Sequence, residues 1–204
     1  MTYPNLIELS RHYQIVLGSG SPRRVELLTE TGISFEQSVP LIAEQPSPGE
    51  EPFAYALRLA EEKAVVVSAR FSAREVVISC DTIVLLEHHL LEKPENEDDA
   101  FRILSILSGK QHIVCTAVAF VHDHQVIRSG SELTEVYFNP LTANRIREYI
   151  KSCEPMDKAG AYGIQGMGGF LVDRIDGNLD TVVGLPRTLL ERLAGEVLHC
   201  LQTS

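Results

Sequence analysis

Ile15-Val16-Leu17-Gly18-Ser19-Gly20-Ser21-Pro22-Arg23-Arg24 is the stretch that decides how this chain folds. A short apolar run ends in a Gly/Ser loop, and the loop ends at Pro22. Proline is favoured at the first helical position, where its missing N–H would have had no partner. The spacing therefore predicts a strand, a glycine-rich loop and a helix. Ser21 stands as the N-cap, with its hydroxyl on an amide of the first turn, and Gly32 stands as a left-handed C-terminal cap. Such a junction aims amides and the positive end of a dipole at one point, where anions bind. Arg23 and Arg24 add two forked cations suited to phosphate oxygens. A capped helix with two solvated arginines accounts for the same residues, and the stretch alone does not separate the two. It is not a Walker loop, because no Gly-Lys-Ser/Thr follows.

The bulk properties narrow the choice. With 204 residues the chain has room for one domain or two small lobes, and at this size roughly 70% of the unfolded surface can be buried. An apolar fraction of 44% is ordinary for a globular protein. A formal net charge of −10 argues against a nucleic-acid polymer as main partner, since such proteins carry a basic face. It leaves room for a small anionic ligand held by local arginines. Cys80, Cys115, Cys153 and Cys200 lie far apart, without zinc-ligand spacing, so reduced thiols in a cytoplasm are the expectation. Met1 to Arg11 contains no apolar signal core. No run approaches the ~18 apolar residues of a membrane span.

Ile33–Val39 alternates as a strand, and Pro40 to Pro52 is a loop with four prolines, in which Glu44 reads as solvated. From Pro52 a helix presents Phe53, Leu57, Ala60, Ala64 and Val67 as one apolar stripe, which leaves Lys63 an exposed helix lysine. Val76 to Leu86 reads as a central strand buried on both faces, yet Asp81 sits in its middle. An ionised carboxylate there costs roughly several kcal/mol unless compensated. A metal, an arginine or an opening onto a cleft would compensate it, and such polar groups in strands tend to mark sites rather than to serve as structural acids. His88 and His89 fall in a turn and point apart, as surface residues. Lys93 precedes Pro94 and is extended. Asn96 caps a helix whose first turn holds Glu97, Asp98 and Asp99. Two strands, His112–Val121 and Val126–Phe138, follow, and Thr142 caps the next helix. Between Gly160 and Gly169 five glycines in ten residues allow a backbone to approach a ligand closely. A last strand, Phe170 to Ile175, and a C-terminal amphipathic helix complete the chain.

Taken together, seven pieces resemble the Maf proteins, a family of nucleoside triphosphate pyrophosphatases, over roughly Ile15 to Leu193. They are Ser19-Gly20-Ser21-Pro22-Arg23-Arg24, Leu59-Ala60-Glu61-Glu62-Lys63-Ala64, Asp81-Thr82, Lys93-Pro94, Leu107-Ser108-Gly109, the run Glu154 to Gly166, and Val183-Gly184-Leu185-Pro186. The form Asp157-Lys158-Ala159-Gly160-Ala161-Tyr162-Gly163-Ile164-Gln165-Gly166 is similar to the dTTP/UTP branch. The resemblance implies a single two-lobed α/β domain over 1–204, ITPase-like, with an elongated mixed sheet flanked by helices, a central cleft and residues 1–14 as an N-terminal extension. It implies hydrolysis of dTTP and UTP, with modified pyrimidine triphosphates as further candidates, to the monophosphate and pyrophosphate, with Mg²⁺ or Mn²⁺ as cofactor. Asp81 matches the catalytic acid. Arg23, Thr82 and Gln165 match selectivity positions, and Ser19, Arg24, Glu44, Lys63, Lys93 and Lys158 match other cleft positions. Glu44 and Asp81 are the candidate metal ligands. Homodimers in a cytoplasm, acting on a small nucleotide and on neither nucleic acid nor membrane, complete the expectation.

Four places depart from the usual pattern: Ala43 where an Asp often precedes the Glu, Ser79-Cys80 for Gly-Ala, Glu92 for a Gly before Lys-Pro, and Leu179-Asp180-Thr181. Three rival functions are a nucleotide-binding regulator of septum formation without turnover, a nucleic-acid module, and a purine-directed pyrophosphatase. The acidic charge and the lack of an aromatic-plus-basic surface strand speak against the second.

Overall fold

A computed structural model describes residues 2–203. The protein is mixed α/β, with a seven-stranded sheet in the order β2-β1-β3-β5-β6-β7, and β4 paired to β3. The elements are α1 (Pro4–His12), β1 (Gln14–Gly18), α2 (Pro22–Thr29), β2 (Phe35–Gln37), α3 (Pro52–Ser68), β3 (Glu75–Leu86), β4 (His89–Leu91), α4 (Glu97–Leu107), β5 (Gln111–His122), β6 (Gln125–Phe138), α5 (Ala143–Ile150), β7 (Val172–Asp176), α6 (Leu179–Val183) and α7 (Arg187–Thr203). Three short 3₁₀ turns, Glu154–Asp157, Ala159–Ala161 and Gly166–Leu171, carry the glycine-rich segment.

The chain divides into two compact units: Met1–Asp81, Thr116–Glu132 and Gly184–Ser204 form the first, Thr82–Cys115 and Leu133–Val183 the second. In the first, β1 lies between β2 and β3, both parallel to it, in the register Val16↔Glu36 and Val16↔Val77. Strands sandwiched in this way read as continuous apolar runs, which is why Ile15, Val16, Leu17, Val76 and Ile78 are all fully buried. The strand after Gly32 is only Phe35–Gln37, shorter than its alternation suggests.

The segment before β1 is more than a tail from Pro4 to His12, where it forms α1. α1 packs on α7 and buries Leu6 and Leu9 completely. Its N-cap residue, Tyr3, gives no side-chain bond. Glu191 of α7 takes over instead, accepting from Asn5 N at 2.8 Å and Leu6 N at 3.0 Å, a charge-assisted cap at the positive end of the helix.

The second unit has its own apolar core. Ala100, Ile103, Leu104 and Leu107 of α4, Ile146, Tyr149 and Ile150 of α5, and Val84, Val114, Val136 and Phe138 of the strands close on one another. Asn96 caps α4 by accepting from Asp99 N at 2.9 Å, and Thr142 caps α5 by accepting from Arg145 N at 3.4 Å, both as the sequence suggests. The short helix α6 falls where the sequence suggests only a connection; Asn178 initiates it, its side chain accepting from Asp180 N at 3.0 Å.

Against this core lies a buried histidine, His112, set among aromatic rings. It is 2% exposed, bonds Tyr162 Oη through Nε2 at 2.8 Å, and meets Phe138 edge-on at 4.9 Å. Among the described residues nothing hydrogen-bonds its Nδ1. Burial pushes its pKa down from 6.5 to about 4. The folded state therefore resists a proton that the unfolded chain accepts. Stability is fully present above pH 6.5 and is lost as pH falls toward 4, by roughly 3 kcal/mol at the limit. His112→Phe should flatten that part of the profile. Denaturation midpoints from pH 7 to pH 4 should fall more steeply for the wild type than for the variant, and parallel curves would remove this role.

Candidate active site

β1 ends at Gly18, and the loop into α2 is held from several directions. Ser19 is 3% exposed. Its Oγ accepts from Ser21 N at 3.2 Å and from Arg24 Nη1 at 3.3 Å, and its carbonyl accepts from Gln37 Nε2 at 2.8 Å. Arg24 Nε donates to Gly184 O at 2.8 Å, which ties the helix start to the residue before α7's leading Leu185-Pro186. Ser21 stands at the N-cap with extended backbone, but its side chain makes no capping bond. Ser19 Oγ, two residues back, does the organising instead. Arg23 and Arg24 are half-buried on the first turn of α2.

A second group of polar residues in the first unit includes Asp81. It is 6% exposed within β3, and Lys63 Nζ lies 2.5 Å from its Oδ1. The same ammonium lies 2.7 Å from Glu44 Oε1. One cation thus joins a strand, a helix and the Pro-rich loop. Lys63 is itself only 6% exposed, contrary to the exposed position read from the sequence. The buried face of α3 is formed by Ala56, Leu59, Ala60, Ala64 and Val67, while Phe53 and Leu57 are only partly covered. Lys63 lies four residues after Leu59 and four before Val67, in the middle of that face. Its compensation is the pair of carboxylates, which answers the cost of burying either charge alone. Next to Asp81, Cys80 is fully buried; burial pushes its thiol up to about 11, against the pull of Arg24 and Lys63, which disfavours the thiolate.

Arg58 holds the loop that carries Glu44. Its guanidinium grips Glu50 with two bonds of 2.6 and 2.7 Å, donates to Gln45 O at 3.1 Å and to Glu62 Oε1 at 2.9 Å. The Arg58 bonds hold the Glu50 carboxyl down at about 2. From the other end Arg70 donates to Ser38 Oγ at 3.0 Å and Val39 O at 2.9 Å. Neither arginine stood out in the sequence, although Arg58 at four residues before Glu62 carries a helix-pair signal.

The second unit holds Thr82, Lys93, Lys158 and Gln165. Thr82 is half-buried; Lys93 and Gln165 are exposed. Lys158 Nζ donates to the Glu154 carbonyl and lies 2.6 Å from Asp157 Oδ1. The glycine-rich segment is well packed: Gly160, Ala161, Tyr162, Gly163 and Gly168 are buried while Gln165, Gly166 and Met167 stand outside. Tyr149 and Glu154 bond that segment's backbone, a role that neither showed in the sequence.

Residues 14–197 match the family described as Maf-like protein. A dTTP/UTP pyrophosphatase of Vibrio parahaemolyticus is 43% identical over 190 residues, 93% of this chain and 100% of that protein. Those of Vibrio cholerae and Salmonella typhimurium are 47% and 48% identical, over 85% and 84% of this chain and 92% and 87% of theirs. A solved nucleoside-triphosphatase / dITP/XTP pyrophosphatase from Mycobacterium abscessus is 15% identical, with a TM-score of 0.44, over 93% of this chain and 97% of that one, too slight a likeness to carry an argument. The chain belongs to the Maf-like protein family. Among the described residues no helix is long and apolar enough to cross a membrane.

Proposed function

We propose that this chain is a dTTP/UTP pyrophosphatase, which hydrolyses the two nucleotides to the monophosphate and pyrophosphate. The observation that carries the reading is the identity of 43–48% to relatives of that name over 84–93% of the chain. The clamp of Lys63 on Asp81 and Glu44 supports it, because buried charged groups of this kind cluster at functional sites.

In this reading Asp81 orients and deprotonates the attacking water. Lys63 fixes the Asp81 carboxylate. Ser19, Arg23 and Arg24 at the start of α2 take phosphoryl oxygens, and Lys93 and Lys158 match further cationic positions of the family. Gln165 has an amide that both donates and accepts, complementary to the imide edge common to uracil and thymine, and Thr82 is the second selectivity position of the second unit.

The donor set of Asp81 and Glu44 is compatible with Mg²⁺ or Mn²⁺, since such ions take one or two carboxylates and fill their sphere with substrate phosphates and water. Among the described residues no cluster of three or more His, Cys, Asp or Glu forms a cage of its own, so the triphosphate would have to bring most of the ligands. When bound, the ion would supply charge neutralisation on the triphosphate. The reading further includes a cytoplasmic homodimer acting on free nucleotide.

A panel of dTTP, UTP, dCTP, CTP, ATP, GTP and ITP, with and without Mg²⁺, tests it. Turnover should favour dTTP and UTP and require the metal. No turnover of any triphosphate favours a nucleotide-binding regulator, and preference for ITP points to a purine-directed enzyme.

A further inference from the structure

The last 3₁₀ turn, Gly166–Leu171, begins directly after Gln165, whose side chain does not cap it. The first amides of such a turn need acceptors from elsewhere. They come from Glu154: Oε2 accepts from Met167 N at 2.9 Å, and Oε1 accepts from Gly168 N at 3.2 Å. Oε1 also accepts from the Tyr149 hydroxyl at 3.0 Å, and that hydroxyl in turn accepts from Gly163 N, also at 3.0 Å. Gly163, Met167 and Gly168 bracket Gln165, so the Glu154 carboxylate holds the backbone after it directly and the backbone before it through the Tyr149 hydroxyl.

The fit is close. A Cβ at Gly163 would come within 2.9 Å of Glu154 Oε1, and one at Gly166, whose φ is +85°, within 3.1 Å of Oε2. The glycines make room for the carboxylate as much as for any ligand. Tyr149 is 2% exposed and packs edge-on to Phe170 at 6.1 Å, so its hydroxyl is fixed by the core. The Glu154 carbonyl accepts from Lys158 Nζ, which brings a second candidate residue under the same control.

We propose that Glu154, with the Tyr149 hydroxyl as its relay, is a positioning residue for base selectivity: it fixes the backbone on both sides of Gln165 so that the Gln165 amide is presented in one orientation. The proposal rests on the dTTP/UTP reading, in which Gln165 reads the pyrimidine imide edge. An amide held by bonded backbone discriminates between uracil-type and cytosine-type edges. On a loosened turn it reorients and accepts either.

The test is kcat/KM for dTTP and dCTP in the wild type, Glu154→Gln, Tyr149→Phe, Gln165→Ala and the two double variants with Gln165→Ala. Gln at 154 keeps the size but accepts through one oxygen only, and Phe at 149 keeps the buried ring; thermal unfolding confirms that each folds, and Tyr149→Phe carries the test if Glu154→Gln does not. Each single change should reduce the dTTP over dCTP preference by about tenfold, equivalent to 1.4 kcal/mol of discrimination. In the Gln165→Ala background neither should reduce it further, because the group they position is gone. Faster hydrogen exchange at Met167 and Gly168 should accompany the loss. A preference that survives both changes, or effects that add to Gln165→Ala, overturns the positioning role and leaves the dTTP/UTP reading standing. A wild type that turns over neither nucleotide, or both equally, overturns that reading and the inference with it.

Discussion

Replacing Asp81 by asparagine is expected to reduce pyrophosphate release from dTTP by a hundredfold or more while leaving nucleotide binding measurable. General-base contributions run to about 10²–10⁴, and asparagine keeps the shape without the basic oxygen. Asp81 is surrounded by what such a base needs. It is 6% exposed, so water does not screen its charge, and Lys63 Nζ at 2.5 Å fixes the carboxylate. Arg23 and Arg24, the cations proposed to bind phosphate, sit on α2, and Arg24 is anchored to Ser19 and Gly184. Binding measured by calorimetry should therefore survive a loss of turnover. Retention of more than about a tenth of the activity, a barrier change below roughly 1.4 kcal/mol, would remove Asp81 from the reaction.

The second large effect is expected at Lys63. Lys63→Met keeps the length and apolar stem but leaves the Asp81 carboxylate, 6% exposed, without its ammonium partner. Removing one member of a buried pair costs about 3–5 kcal/mol, because the remaining charge is stranded away from water. For a chain of this size, at about 2–4 °C per kcal/mol, the unfolding midpoint should fall by roughly 10 °C. The double variant Lys63→Met/Asp81→Asn removes both charges and should recover a good part of that loss. The two changes would then be strongly non-additive, as expected for groups in contact. Glu44, whose side chain is 38% exposed, should matter less to stability, since water can solvate it. A Lys63→Met protein with the wild-type midpoint, or additive effects in the double variant, would show that the pair is not what compensates Asp81.

Much of the fold was legible because its signals are local. Asn96 and Thr142 sit one residue before their helices and bond the amides three residues on, a spacing visible in the chain. The apolar run around Asp81 announced a central strand. What could not be read depends on partners distant in sequence. α1 is capped by Glu191, 186 residues away from Asn5, so apart from Pro4 at the first helical position nothing local names its cap. Lys63 read as exposed because lysine on a helix is normally solvated; its burial follows from two carboxylates, 19 residues before it and 18 after it, that no helical period reveals. Ser21 looked like a cap, but its hydroxyl makes no capping bond, and its own amide donates to Ser19 Oγ. The bracket around Gln165 runs from α5 across a chain reversal at Cys153, where φ is +59°, and so escapes both helix and strand spacing.

The most direct measurement is ³¹P NMR of dTTP and UTP incubated with Mg²⁺ and the protein, set beside the same mixture with Asp81→Asn. The expected spectrum shows pyrophosphate and the nucleoside monophosphate growing together for the wild type and near-absent for the variant. Orthophosphate with the nucleoside diphosphate, or unchanged triphosphate with the wild-type protein, would contradict hydrolysis between the α- and β-phosphates by a lysine-clamped Asp81.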